Sequence, residues 1–133
     1  MTTDNKLWTS LPGSVQDLSE SYLRSFAVDP AFNDKMVLAF GQTSPKLQAD
    51  WVAGNVALPT IEVRSATELG GAYGAFSQDT GKIYLSEDLL KSNFKELITA
   101  VVLEEYGHFV DTQLNTVDSP GDEGSIFSSL VRG

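Results

Sequence analysis

The chain contains no cysteine and a single histidine, His108. The first absence excludes disulfides and thiolate metal sites and leaves the redox compartment open. Any metal ion must therefore be held by carboxylates, by His108, by carbonyl oxygens or by water. Basic residues are also scarce: 9 Lys and Arg stand against 18 Asp and Glu, a formal net charge of -9. A field of that sign repels phosphate backbones, so no nucleic-acid partner is expected, while cations are welcome. No run approaches the roughly 18 apolar residues of a membrane helix, so no membrane span is expected. The opening MTTDNKLWTS lacks a basic start followed by an apolar run and does not read as a secretory signal. Secretion by a signal outside this chain and residence in the cytoplasm both stay open.

What is present suffices for one domain. The 133 residues can bury a real core, and a charged content of 20% is ordinary for a globular chain. Internal repeats and low-complexity segments are lacking. The first part, residues 1–57, reads as helical. SVQDLSESYLRSFAVD sets Val15, Leu18, Leu23 and Phe26 near one face, PAFNDKMVLAFG runs from Pro30 to Gly41, and SPKLQADWVAGNV buries Leu47 and Trp51. Residues 58–133 change pattern. PTIEVRS alternates Ile61 and Val63 against Glu62 and Arg64, as a strand does. GGAYGAFSQDTGKIYLS reads as a hairpin, with strands Ala72–Phe76 and Lys82–Leu85 around a turn on SQDTG. The longest helix pattern follows, SNFKELITAVVLEEYGHFVDTQLN, with Ser92 or Asn93 as its cap. After a DSPGD turn, EGSIFSSLV makes a short helix carrying Ile126, Leu130 and Val131. Helices, a small and mostly antiparallel sheet, then helices again make an α+β domain.

The long helix carries the chemistry. At 100° per residue, Leu97, Val101, Glu104, His108 and Asp111 fall in one narrow arc, so Glu104 and His108 continue the stripe by which Leu97 and Val101 reach the core. Residues four apart stack one turn apart, and Glu104 and His108 can then contact one divalent cation. Glu105, one step round, can orient a water there. Gly107 costs a helix roughly 1 kcal/mol against alanine and leaves room for another backbone or a ligand. A third ligand must come from elsewhere, and a final helix folding back antiparallel could bring Glu123. The plain alternative makes the glutamates solvated helix acids and His108 a satisfied core histidine. Asp118 and Asp122 in DSPGD can belong to a calcium loop or to a simple Asx turn; the D-x-D-x-D-G spacing is missing, which favours the turn. Tyr73 and Phe76 can line a cleft or fill the core.

EEYGHFVD resembles the active-site helix of zincin metallopeptidases, H-E-x-x-H, and within them the H-E-x-G-H-x-x-D variety whose third ligand is a downstream glutamate. The likeness covers residues from about Pro59 to Val131. That stretch also resembles a domain near the N-terminus of large bacterial, notably cyanobacterial, proteins with calcium-binding repeats. The resemblance implies a zincin-like fold with an edge hairpin ahead of the site helix. It implies His108 as second ligand, Glu123 as third, Glu105 as general base and Asp111 as a group supporting the ligands from behind. Tyr84 would be a candidate oxyanion stabiliser. Glu104 stands where the family has histidine. Zinc is the first expectation for a Glu, His, Glu set, while its two carboxylates shift preference toward harder ions such as manganese, magnesium or calcium. The expected function is divalent-metal-dependent peptide hydrolysis, with an extended peptide along the hairpin edge and a cleft built from Gly71, Tyr73, Gly74, Phe76 and Tyr84. The alternative is a catalytically inactive zincin-like module, for binding or self-processing, within a larger secreted protein. A third reading is a structural domain without an ion.

Overall fold

A computed structural model describes residues 13–56, 58–115 and 122–133. Six helices and one three-stranded sheet are found among them, a mixed α+β fold. Three helices come first: α1 (Gly13–Ala27), α2 (Phe32–Phe40) and α3 (Pro45–Val52). Their ends follow local chemistry. The Ser44 hydroxyl accepts from Leu47 N and caps α3 ahead of Pro45, while Gly41, at φ 79°, ends α2 in the left-handed conformation. The faces expected to be apolar bury Val15, Leu23, Phe26, Phe32, Met36 and Trp51. Leu18 and Leu47 lie at the margin, half-buried.

Strands β1 (Ile61–Arg64), β2 (Gly74–Ser77) and β3 (Lys82–Ser86) form a sheet in the order β1-β3-β2. The sheet is mixed, not mostly antiparallel. β2 and β3 make the expected antiparallel hairpin, but β3 then inserts beside β1 in parallel. Hairpin signals in the sequence carried no information about that second pairing. Alternation in β1 also departs from expectation. Glu62 is buried, clasped by Arg64 and by Lys82 Nζ at 3.0 Å, so its ion pairs satisfy a charge that burial would otherwise forbid. The hairpin strand starts at Gly74 and not at Ala72. The preceding residues fold into turns in which Ser65 and Glu68 bond reciprocally and Gly70 and Gly71 take positive φ.

A short helix unforeseen in the sequence, α4 (Glu87–Lys91), follows, capped by Ser86. Ser92 closes it: its hydroxyl donates to Leu89 O. Asn93, at φ 59°, breaks the chain direction, and the long helix α5 (Lys95–Leu114) begins only after Phe94, without the side-chain cap assigned to Ser92 or Asn93. The last helix, α6 (Glu123–Arg132), packs on α5. Its inward face is Gly124, Phe127, Ser128 and Val131; Ile126, expected inside, is 40% exposed. Phe127 joins Phe26, Trp51, Phe40 and Tyr106 in one aromatic cluster with ring centroids 5.3–6.4 Å apart. Trp51 Nε1 donates to the Tyr106 hydroxyl at 3.1 Å, satisfying the indole inside the core. Helix α5 is thereby enclosed: α1 and α6 pack on it, and β2 crosses it. Among the described residues no helix is long and apolar enough to cross a membrane.

Candidate metal and peptide site

Two glycine contacts bring the site together. β2 passes so close to α5 that a Cβ on Gly74 would lie 2.7 Å from Val101 Cγ1 and 3.3 Å from Glu105 Cγ. At the other side α5 and α6 meet backbone to backbone. A Cβ on Gly107 would stand 3.0 Å from Gly124 Cα, and one on Gly124 would stand 2.4 Å from Glu104 O and 2.7 Å from His108 Nε2. The odd mid-helix glycine therefore admits another backbone. Between β2 and the start of α6 lies a cleft of about 390 Å³, lined by Gly74, Ala75, Phe76, Gln78, Glu104, Glu105, His108, Thr112 and Asp122.

Glu104, His108 and Asp122 each offer one donor atom, and the three atoms lie within 4.8 Å of one another. Asp122 caps α6, accepting from Ser125 N at 3.1 Å, and its Oδ1 stands 3.7 Å from His108 Nε2. The opposite ring nitrogen, Nδ1, lies 3.1 Å from Oε1 of buried Glu123. The expected third ligand thus sits behind the imidazole, and its neighbour Asp122 faces the cleft. Asp122, expected in a calcium loop or an Asx turn, caps α6 and lines the cleft; Asp118, the other half of that expectation, lies outside the described residues.

The electrostatics follow from crowding of like charge in a half-dry place. Burial pushes the Glu105 carboxyl up to about 7; Glu104 and Asp122 add to the rise and His108 opposes it. Burial also raises Glu104, helped by Asp122, while His108 and Arg132 pull it down. His108 is itself raised: burial disfavours its charge, but the bond to Glu123 and the fields of Glu105 and Asp122 outweigh that. The donor set, two carboxylates and one imidazole, suits a divalent cation of intermediate to hard character. Ligand atoms bound about 2.1 Å from one ion stand roughly 3 to 3.5 Å apart, closer than the 4.8 Å within which the trio lies.

The remaining expected residues divide. Gly74 and Phe76 line the cleft, although the bareness of Gly74 is used by α5. Phe76 also rests edge-on against Phe109, 5.9 Å between centroids. Gly71 lies in the turn before β2, outside the lining, and Tyr73 is 51% exposed beyond its start. Tyr84 belongs to the opposite face of the sheet: pleating turns it away from α5, its ring lies under the Arg64 guanidinium at 5.2 Å, and its hydroxyl bonds Thr80 at 2.9 Å. It cannot reach an oxyanion in the cleft. The Asp111 carboxylate accepts from Asn115 Nδ2 at 2.7 Å, and Asn115 Nδ2 also donates to Phe40 O at 3.2 Å, so Asn115, held by Asp111, ties the end of α5 to α2. Thr112 and Gln78 were missed as lining residues. Thr112 lies four after His108, so helix spacing alone could have found it.

Among the described residues no strand pairs with the outer edge of β2, and that edge borders the cleft. Ser86 N donates to Tyr73 O at 2.8 Å and the register pairs Gly74 with Leu85, so alternation along the ladder turns the N–H and C=O of Gly74 and Phe76 away from β3. No family model, curated protein or solved structure matches this chain in the three comparisons.

Proposed function

We propose that the domain is a divalent-cation-dependent peptide hydrolase of zincin-like architecture, with Glu104, His108 and Asp122 holding the ion. The observation that carries this reading is the convergence of three donor atoms within 4.8 Å on a cleft beside a strand edge. The order of hairpin edge, long helix and returning helix supports the architecture. When bound, a zinc or manganese ion, or calcium at a more oxygen-rich site, would supply Lewis acidity at the scissile carbonyl. The chain's own residues do the rest. Gly74 and Phe76 offer backbone donors and acceptors to an extended peptide, which selects for a strand with little demand on its sequence. The walls of the cleft exclude part of the water. Glu105 takes a proton from the attacking water, and a carboxyl held near neutrality can both accept that proton and return it to the leaving amine.

The test is digestion of a mixed peptide library, read by mass spectrometry, with zinc, manganese or calcium added in turn. Cleavage should depend on the ion and vanish in Glu105→Gln. Equal cleavage by that variant removes Glu105 as the base, and no cleavage by the wild type with any of the three ions counts against hydrolysis. The second reading, a silent binding or self-processing module of a larger secreted protein, is favoured by one observation: Glu104 stands where the H-E-x-x-H helix has histidine. If Glu104→His creates hydrolysis that the wild type lacks, this second reading is the right one.

A further inference from the structure

We infer that Glu123 is the positioning residue that fixes the tautomer and orientation of His108, and that Asp122 supplies the third ligand. The inference rests on reading the site as a cation site, and it exchanges the roles of two neighbouring acids. Glu123 is 3% exposed and holds its Oε1 3.1 Å from His108 Nδ1. An ionised carboxylate can only accept, so Nδ1 must carry the hydrogen and Nε2 is left with the lone pair. The two ring nitrogens point apart, so an ion on Nε2 lies out of reach of a carboxylate bound to Nδ1. Nε2 turns to the cleft, where Asp122 Oδ1 stands at 3.7 Å and Glu104 completes the trio.

Local structure explains why adjacent residues go to opposite sides of one imidazole. Asp122 is the N-cap, held by Ser125 N, and its short side chain stays at the rim, 60% exposed. Glu123 is the first residue inside α6, and its longer side chain runs inward. The crossing of Gly107 and Gly124 brings that helix start close enough for both contacts. A carboxylate behind a ligating histidine sets its tautomer and raises its basicity, and its loss ordinarily costs 10- to 100-fold in metal affinity.

Two measurements test this. In cation-free protein at a pH that leaves the ring neutral, carbon and nitrogen shifts of labelled His108 should report the Nδ1–H tautomer. Glu123→Gln keeps an acceptor oxygen and should keep that tautomer, whereas Glu123→Ala should release the ring toward Nε2–H. Zinc and manganese titrations then separate the acids. Asp122→Asn preserves the helix cap and should abolish measurable binding; Glu123→Gln should weaken it by about 10-fold, within the range for a supporting partner. An Nε2–H tautomer in the wild type overturns the inference, as does binding lost in Glu123→Gln but intact in Asp122→Asn. If the wild type binds no cation, the ligand role of Asp122 and the cation reading both fall, and the tautomer measurement still decides whether Glu123 holds Nδ1.

Discussion

Replacing Glu105 by glutamine should stabilise the protein above neutral pH while removing the group proposed to act as base. Glu105 is 5% exposed, and burial moves its carboxyl from 4.5 to about 7. At about 1.4 kcal/mol per pH unit, the ionised form costs the fold about 3 kcal/mol. The direction follows from linkage. A folded-state value above the unfolded one favours the protonated fold, so this stability is complete below pH 4.5 and is lost as pH rises through about 7. Glu104 and His108 are raised as well and slope the same way, His108 from 6.5 upward. The assay is thermal unfolding of wild type and Glu105→Gln with a chelator present, across pH 4 to 9. The two curves should run together near the acid end and separate through neutrality, the variant melting roughly 10 °C higher by pH 8. Zinc or manganese in place of the chelator should lift the wild type most at high pH, because binding is linked to the ionised cluster. Curves that stay parallel between pH 5 and 8, or a wild type that gains on the variant as pH rises, would refute the reasoning.

Other consequences are more local. Gly124→Ala drives a methyl into Glu104 O and His108 Nε2, so it should cost about 1 to 3 kcal/mol in urea unfolding and weaken cation binding together. Tyr106→Phe removes the acceptor of Trp51 Nε1 and should cost about 1 to 3 kcal/mol, read by chemical denaturation, with cation affinity unchanged. Ser44→Ala takes away the cap of α3 and should cost about 1 kcal/mol in the same measurement.

Periodicity groups the residues of the candidate site that lie on one helix. Glu104, Glu105 and His108 meet in the cleft because helix geometry fixes residues one and four apart, and Gly107 announced a close approach because a glycine there is otherwise a cost. The hairpin turn and the three N-terminal helices were legible for the same local reason. Contacts between elements were not. Whether Asp122 or Glu123 faces the cleft depends on which of them is the last residue outside α6, a difference of one position that sequence signals rarely fix. Tyr84 is expected in the cleft only through the family resemblance, with no local signal behind it, and strand alternation turns it to the far face. The parallel partner of β3 was hidden because the hairpin satisfied the local pattern by itself. Phe127 was passed over in favour of Ile126, since both are apolar and only the packing angle of α6 on α5 chooses between them.

The central claim is that Glu104, His108 and Asp122 bind one divalent cation. Its most direct test is elemental analysis of the purified protein after loading with zinc, manganese and calcium in turn, beside Glu104→Ala, His108→Ala and Asp122→Ala. One ion per chain in the wild type, lost in all three variants, is the predicted result. A wild type that retains no ion under any loading, or an ion that survives in all three variants, would contradict it.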